Sequence, residues 1–311
     1  MARFPKLESP AILSPMAGVT DVAFRTLCKE LGAGLTVTEF INSTGLVRGN
    51  KTAEKMLKTD PVEKPVAVQL FGNSDEDIIE AARLVEDKFD IIDLNCGCPA
   101  WKVVRSGAGS AMLNNPERIR KLLSKLTSAT NTPITIKIRK GIDEAHVNAV
   151  EVALAAQDAG CCAIAVHGRT QKQGYKGKAD WNIIKDVKEK VSIPVIGNGD
   201  VFSPETFKKR LDESGVDAIL IARGAIGNPG IFKQIKEYLS KGEYEKESCA
   251  KHFSRYYSLA KKHSIPFSQI KMQAINFARD FDGAARAREE LARAQCEEKI
   301  LEIFDRIAQT E

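Results

Sequence analysis

Eight short apolar, β-branched runs alternate with longer segments of helical periodicity, and this alternation predicts an α/β chain closed as a (β/α)8 TIM barrel. The runs are apolar at successive positions, as strands are when both faces are covered, so parallel pairing is expected. No GxGxxG follows the first run, where Pro15-Met16-Ala17-Gly18-Val19-Thr20 stands instead; this argues against a doubly wound open sheet. After residue 242 the strand signals stop and helical segments follow alone. A barrel domain over 1–242 and a small C-terminal helical-bundle domain over 243–311 are therefore expected.

In chain order the expected strands are 11–14, 35–38, 66–70, 91–94, 134–138, 162–166, 195–196 and 218–221. Helices are expected over 21–31, 75–88, 116–129, 144–159, 181–190 and 203–214. Ser74 before Asp75, Glu76 and Asp77 is a capping pattern, and Ser203-Pro204 puts proline at a first helical position. Gly32, Gly160 and Gly215 stand where helices end. The C-terminal helices are expected over 247–263, 267–280, 284–294 and 297–309, broken by Ser264-Ile265-Pro266, Asp282-Gly283 and a turn near Gln295.

The chain has 311 residues, 43% hydrophobic and 28% charged, an ordinary globular balance with ample length for a large core. No apolar run is long enough to span a bilayer, and Met1–Ser9 is too short and polar for a signal peptide. The seven cysteines form no CxxC pair: Cys161 and Cys162 are adjacent, and Cys96 and Cys98 lie one residue apart. A reduced, cytoplasmic, monomeric chain without structural metal or membrane partner is expected. The net charge of +5 is unevenly spread. From Ser248 to Arg288 eight Lys or Arg face two Asp, whereas from Glu289 onward three face seven acids. Arg169, Lys172, Lys176 and Lys178 form a second basic run. Two such runs favour a polyanionic partner.

In such barrels chemistry sits beyond the C-terminal ends of the strands. Those positions carry Pro15, Met16 and Ala17; Gln69; Asn95; Lys137 and Arg139; His167; Asn198, Gly199 and Asp200; and Ala222 and Arg223. Each has a bland reading: a loop cap for Asn95 or Gln69, a pair with Asp93 for Lys137, a core imidazole for His167, a turn for Asn198–Asp200. Seven consecutive polar or small strand ends are not explained that way. The loops after strands seven and eight form a glycine-rich phosphate cradle with Arg223 beside it. Gln69 offers both donor and acceptor to a ring edge, and Lys137 offers a cation to an anionic ring. These demands describe flavin mononucleotide (FMN), with a sugar phosphate as the rival ligand.

Asp93-Leu94-Asn95-Cys96-Gly97-Cys98-Pro99 leads from a buried strand into a loop rich in Gly, Lys and Arg. Pro99 is expected to stop the strand and Gly97 to turn the chain tightly between the two thiols. A thiol on such a loop is placed to meet a substrate, although most free cysteines are small buried apolar residues.

Taken in order, Ser14-Pro15-Met16-Ala17-Gly18-Val19-Thr20-Asp21, Asn95-Cys96-Gly97-Cys98-Pro99 with Lys102-Val103, His167-Gly168-Arg169-Thr170, Ala179-Asp180-Trp181 and Gly197-Asn198-Gly199-Asp200 resemble the tRNA-dihydrouridine synthase family. The resemblance implies an FMN-containing barrel, a helical tRNA-binding domain, and reduction of the C5–C6 double bond of uridine in tRNA with NADPH as reductant. It implies flavin contacts at Pro15, Met16, Ala17, Gln69, Lys137, His167, Asn198, Gly199, Asp200, Ala222 and Arg223. Cys98 matches the catalytic cysteine, the general acid, and Asn95 the asparagine facing the base; Arg139 is a second candidate for orienting it. Arg169, Lys172, Lys176, Lys271, Arg279, Arg286 and Arg288 are the candidate RNA contacts. Cys96 and Ala222 depart from the family pattern, and the C-terminal domain matches it only loosely.

Overall fold

The protein is described over residues 3–310 in a computed structural model; Met1, Ala2 and Glu311, the outermost residues of the two expected domains, lie outside the described residues. Eight strands close into a barrel, each parallel to its neighbours, with β1 also paired to β8. In chain order the elements are β1 (Ala11–Leu13), α1 (Val22–Glu30), β2 (Leu35–Asn42), α2 (Ser43–Val47), α3 (Lys51–Met56), β3 (Val66–Phe71), α4 (Asp75–Val85), β4 (Ile91–Cys96), α5 (Trp101–Arg105), α6 (Pro116–Ala129), β5 (Ile134–Arg139), α7 (Ala149–Asp158), β6 (Ala163–His167), α8 (Trp181–Lys190), β7 (Val195–Asn198), α9 (Pro204–Ser214), β8 (Ala218–Ile221) and α10 (Ile231–Lys241). The C-terminal region adds α11 (Cys249–Lys262), α12 (Phe267–Phe277), α13 (Ala284–Arg293) and α14 (Glu297–Ala308).

Alternation along each strand sorts the residues into two layers. Ile12, Leu35, Val37, Ala67, Ile91, Ala163, Ala165, Ile196, Ala218 and Leu220 pack together inside the barrel, with Phe4 and Leu7 against them. The intervening residues, such as Val66, Val68 and Leu70 or Ile134, Ile136 and Ile138, pack outward against the helices. Further along the inward-facing rows the residues turn polar: Gln69, Asp93, Asn95, Thr135, His167 and Asn198 are all buried. An apolar base thus supports a polar upper layer, the arrangement a barrel needs to present chemistry at its C-terminal end.

Several elements differ from expectation. β2 is four residues longer, because a register shift between Val37 and Phe40 lets it continue past its apolar run. α7 starts five residues late, since Gly141 bridges Val147 and the Ile142 amide donates to the His146 carbonyl. The eighth barrel helix, α10, and the short α2, α3 and α5 were not expected. The caps agree: Ser74 accepts from the Asp77 amide, Ser203 from the Thr206 amide, and Gly215 ends α9 at φ +66°.

The C-terminal helices dock on α1. Asp21 caps α1 through the Phe24 amide (2.9 Å), and its other oxygen accepts from the Tyr256 hydroxyl (3.1 Å) and Gln269 Nε2 (3.2 Å). Gln273 Nε2 donates to the Val19 carbonyl at 2.7 Å. Phe253 stacks on Phe304 with ring centres 3.8 Å apart, and Phe277 meets both Phe24 and Phe253 edge-on. No helix among the described residues is long and apolar enough to cross a membrane.

Candidate active site

The strand ends converge on a cavity of about 570 Å³ lined by Pro15, Met16, Ala17, Gln69, Asn95, Cys98, Lys137, Arg139, His167, Asn198, Gly199, Asp200, Ala222 and Arg223. Every cofactor and substrate candidate read from the sequence is therefore brought to one place. Sequence reasoning missed Phe40, Tyr175 and Phe202, which line the same cavity. For Phe40 and Phe202 the signal was available, since each is an aromatic within four residues of a strand end; Tyr175 sits mid-loop, eight residues past β6.

One hydrogen-bond chain crosses the polar layer. Thr135 Oγ1 donates to Asp93 Oδ1 and Gln69 Nε2 to Asp93 Oδ2, both at 2.6 Å; Asn95 Nδ2 donates to Gln69 Oε1 at 2.7 Å. Asn95 Oδ1 accepts the amides of Gly97 (3.1 Å) and Cys98 (2.9 Å). The loop-cap reading of Asn95 is thus part of its role: it shapes the turn that carries Cys98. The strand stops at Cys96, three residues before Pro99, because this turn captures the following amides. Gly97 does not have the positive φ of a tight turn. A Cβ there would lie 3.2 Å from the Ile138 carbonyl carbon, so it serves close approach to β5.

The two thiols part company at this turn. Cys96 continues the outward row of β4; it is fully buried, its Sγ 3.6 Å from Met112 Sδ, and burial pushes its thiol far above the ordinary range. Cys98 lies beyond the strand, half-buried, and lines the cavity. Ser110 fixes it, its amide and hydroxyl both donating to the Cys98 carbonyl at 3.1 and 2.9 Å. Gly109 (φ +58°) makes room for that contact, since a Cβ would come within 2.8 Å of the same oxygen.

Lys137 is half-buried, and its Nζ donates to Asn198 Oδ1 at 3.2 Å. Among the described residues no carboxylate lies within ion-pair distance of it, because Asp93 turns to Gln69 and Thr135 instead. Burial, reinforced by the neighbouring Arg139 charge, lowers the Lys137 pKa to about 8. Burial and the cations of Lys137, Arg139, Arg169 and Arg223 keep His167 neutral. Arg139 donates to the carbonyls of Gly97 (2.8 Å), Thr170 and Gly174 (both 2.9 Å), tying the Cys98 loop to the loop after β6. Asp200 bridges Arg169 (2.8 Å) and Arg223 (2.9 Å) at the β7–β8 side. There Gly199 and Gly224 leave bare backbone lining the cavity.

The candidate RNA contacts are not brought to one face in equal measure. Arg169 is 2% exposed, paired with Asp200 and bonded to the Lys176 and Gly177 carbonyls, so it is a buried brace and not a surface contact. Lys172 is exposed but pairs with Asp143 at 2.6 Å, and Lys176 is exposed. Lys271 donates to the Ala294 carbonyl, Arg279 to Asn276 and Arg288 to Ala278, each at 2.8 Å, while Arg286 is exposed beside Glu290.

A family model described as Dihydrouridine synthase (Dus) matches residues 12–310. The tRNA-dihydrouridine synthase B of Salmonella typhimurium (strain LT2) is 39% identical over 306 residues, 92% of this chain and 95% of that protein. The tRNA-dihydrouridine synthase B of Pseudomonas aeruginosa is 44% identical over 239 residues, 76% of this chain and 72% of that protein. Among solved structures, histamine dehydrogenase from Rhizobium sp. 4-9 shares the fold, with a TM-score of 0.56 at 16% identity over 81% of this chain and 49% of that one. The match runs through the strand ends that build the cavity, and the chain belongs to the dihydrouridine synthase family.

Proposed function

We propose that this enzyme reduces the C5–C6 double bond of uridine in tRNA, using FMN reduced by NADPH, with Cys98 as general acid. The observation that carries the reading is the presence on one cavity of Lys137, a half-buried cation with no carboxylate of its own, and a half-buried thiol. A cation without a counter-charge fits a ligand that brings a negative charge, as the reduced flavin ring does. The cavity-lining backbone of Gly199 and Gly224, with Arg223 beside it, fits a phosphate. Pro15, Met16, Ala17, Gln69, Lys137, His167, Asn198, Asp200 and Ala222 would hold the rest of the cofactor.

Bound FMN supplies a hydride to C6 of the uracil ring. The chain's own residues do the remainder. With FMN bound, Lys137 would balance negative charge on the ring, and neutral His167 would offer it a hydrogen bond without adding a further positive charge. Cys98 delivers a proton from its Sγ to C5 as general acid. Asn95, Ser110 and Arg139 hold the loop that aims it. Residues 243–311, read as the tRNA-binding domain, add phosphate contacts from the exposed Arg286, joined by Lys172 and Lys176 of the barrel.

Purified protein is expected to show a flavin absorption band and, with NADPH, to form dihydrouridine in unmodified tRNA. The Cys98→Ala variant is expected to keep its flavin and its oxidation of NADPH but to lose about 10²- to 10⁴-fold in uridine reduction. Colourless protein that cannot be reconstituted with FMN would refute the reading.

A further inference from the structure

Trp101 is 68% exposed, the highest value among the exposed large hydrophobic residues described. It opens α5, two residues past Pro99, and its neighbour Ala100 lines the cavity. A single exposed apolar side chain is ordinary, but this ring stands at the lip of the cavity among cations. Arg105 lies over its ring, with the guanidinium carbon 5.3 Å from the ring centre. Lys102 is exposed beside it. From Asn95 to Pro116 the chain contains no acidic residue, so Lys102 and Arg105 are not neutralised within their own segment.

An exposed indole, a guanidinium and a lysine on an acid-free lip match the chemistry of one nucleotide: a flat base to stack and a phosphate to hold. We propose that Trp101, flanked by Lys102 and Arg105, is a stacking platform for a nucleotide adjacent to the uridine that enters the cavity. The proposal rests on the tRNA reading given above. A uridine leaving its stack breaks contacts with both neighbours, and an indole at the lip replaces one of them. The platform sits on the same loop as Cys98.

Three measurements test this on the full-length enzyme with unmodified tRNA. Trp101→Ala is expected to raise KM for tRNA roughly tenfold or more while kcat changes far less, and Trp101→Tyr to recover most of the loss. Its melting temperature should match the parent's, since the ring is exposed. The chain has only two tryptophans, and Trp181 is buried. Quenching of indole emission by tRNA is thus expected in the parent and lost in Trp101→Tyr. Lys102→Ala with Arg105→Ala is expected to flatten the salt dependence of tRNA affinity, whereas Trp101→Ala leaves that slope unchanged. An unchanged KM in Trp101→Ala, or quenching that persists in Trp101→Tyr, overturns the platform while leaving the substrate reading intact. A parent enzyme that forms no dihydrouridine at all overturns both.

Discussion

At the barrel mouth the half-buried Lys137 pairs only with an amide oxygen, whereas on the C-terminal helices Arg286 and Arg306 flank Glu290, Arg293 holds Glu289 and Lys261 holds Glu297. Both regions are rich in cations, and they use them oppositely. Those helix charges meet a carboxylate one turn away or on the neighbouring helix, in water, where such pairs contribute little, while Lys271, Arg279 and Arg288 donate to backbone carbonyls. At the mouth the half-buried Lys137 charge has no carboxylate within ion-pair distance among the described residues, an arrangement that favours an anionic occupant. Local charge excess in the sequence does not separate the two cases; what separates them is which charges fold next to a counter-charge.

The sharpest way to break this contrast is Lys137→Met. Loss of this half-buried cation is expected to weaken FMN binding at least tenfold and to shift flavin reduction to lower potential, measured by fluorescence titration and spectroelectrochemistry. The parent's affinity for reduced flavin should fall as pH rises through about 8, where Lys137 loses its proton, and this dependence should vanish in the variant. The stability of the flavin-free protein should respond with the opposite sense. Folding lowers this lysine's pKa, so its charged form opposes folding; the penalty is fully present below pH 8 and fades as pH rises toward 10.5, because only the unfolded chain still binds the proton there. Flavin-free protein that loses stability from this group across that window would contradict the assignment.

Asp21→Ala sharpens the comparison from the helical side. It removes the cap of α1 and the acceptor of Tyr256 and Gln269, leaving buried donors unmatched. A loss of about 2–4 kcal/mol in denaturant unfolding is expected. Cys96→Ala leaves a small gap against Met112 and should cost about 1–2 kcal/mol with the rate of uridine reduction retained. Arg286→Ala should change stability by less than about 1 kcal/mol and lower the salt slope of tRNA binding by about 1 at most.

Much of the fold was legible because a strand buried on both faces has a distinctive composition, and because Ser74, Ser203 and Gly215 mark helix ends chemically. α10 was missed because Gly227-Asn228-Pro229-Gly230 reads as punctuation and the helix then begins without a side-chain cap. The short α2, α3 and α5 fall below the length at which periodicity is visible. At the site, the strand ends gave nearly the whole lining. The outward burial of Cys96 was legible too: with Asp93 and Asn95 facing inward, the period of two sends it to the helix side. Partners were not legible. Nothing local says that Arg169 turns back onto Asp200, that Arg139 braces two loops, or that Gln69 and Asn95 hold each other, because those bonds join segments 26 to 42 residues apart or meet across the closed barrel.

The most direct test of the account is a single anaerobic turnover: enzyme carrying reduced FMN is mixed with unmodified tRNA, and the return of oxidised flavin absorbance is timed in the parent, Cys96→Ala and Cys98→Ala. The account predicts that the first two reoxidise at similar rates and that Cys98→Ala is slower by about a hundredfold or more. Equal rates for Cys98→Ala and the parent, with Cys96→Ala inert, would contradict it.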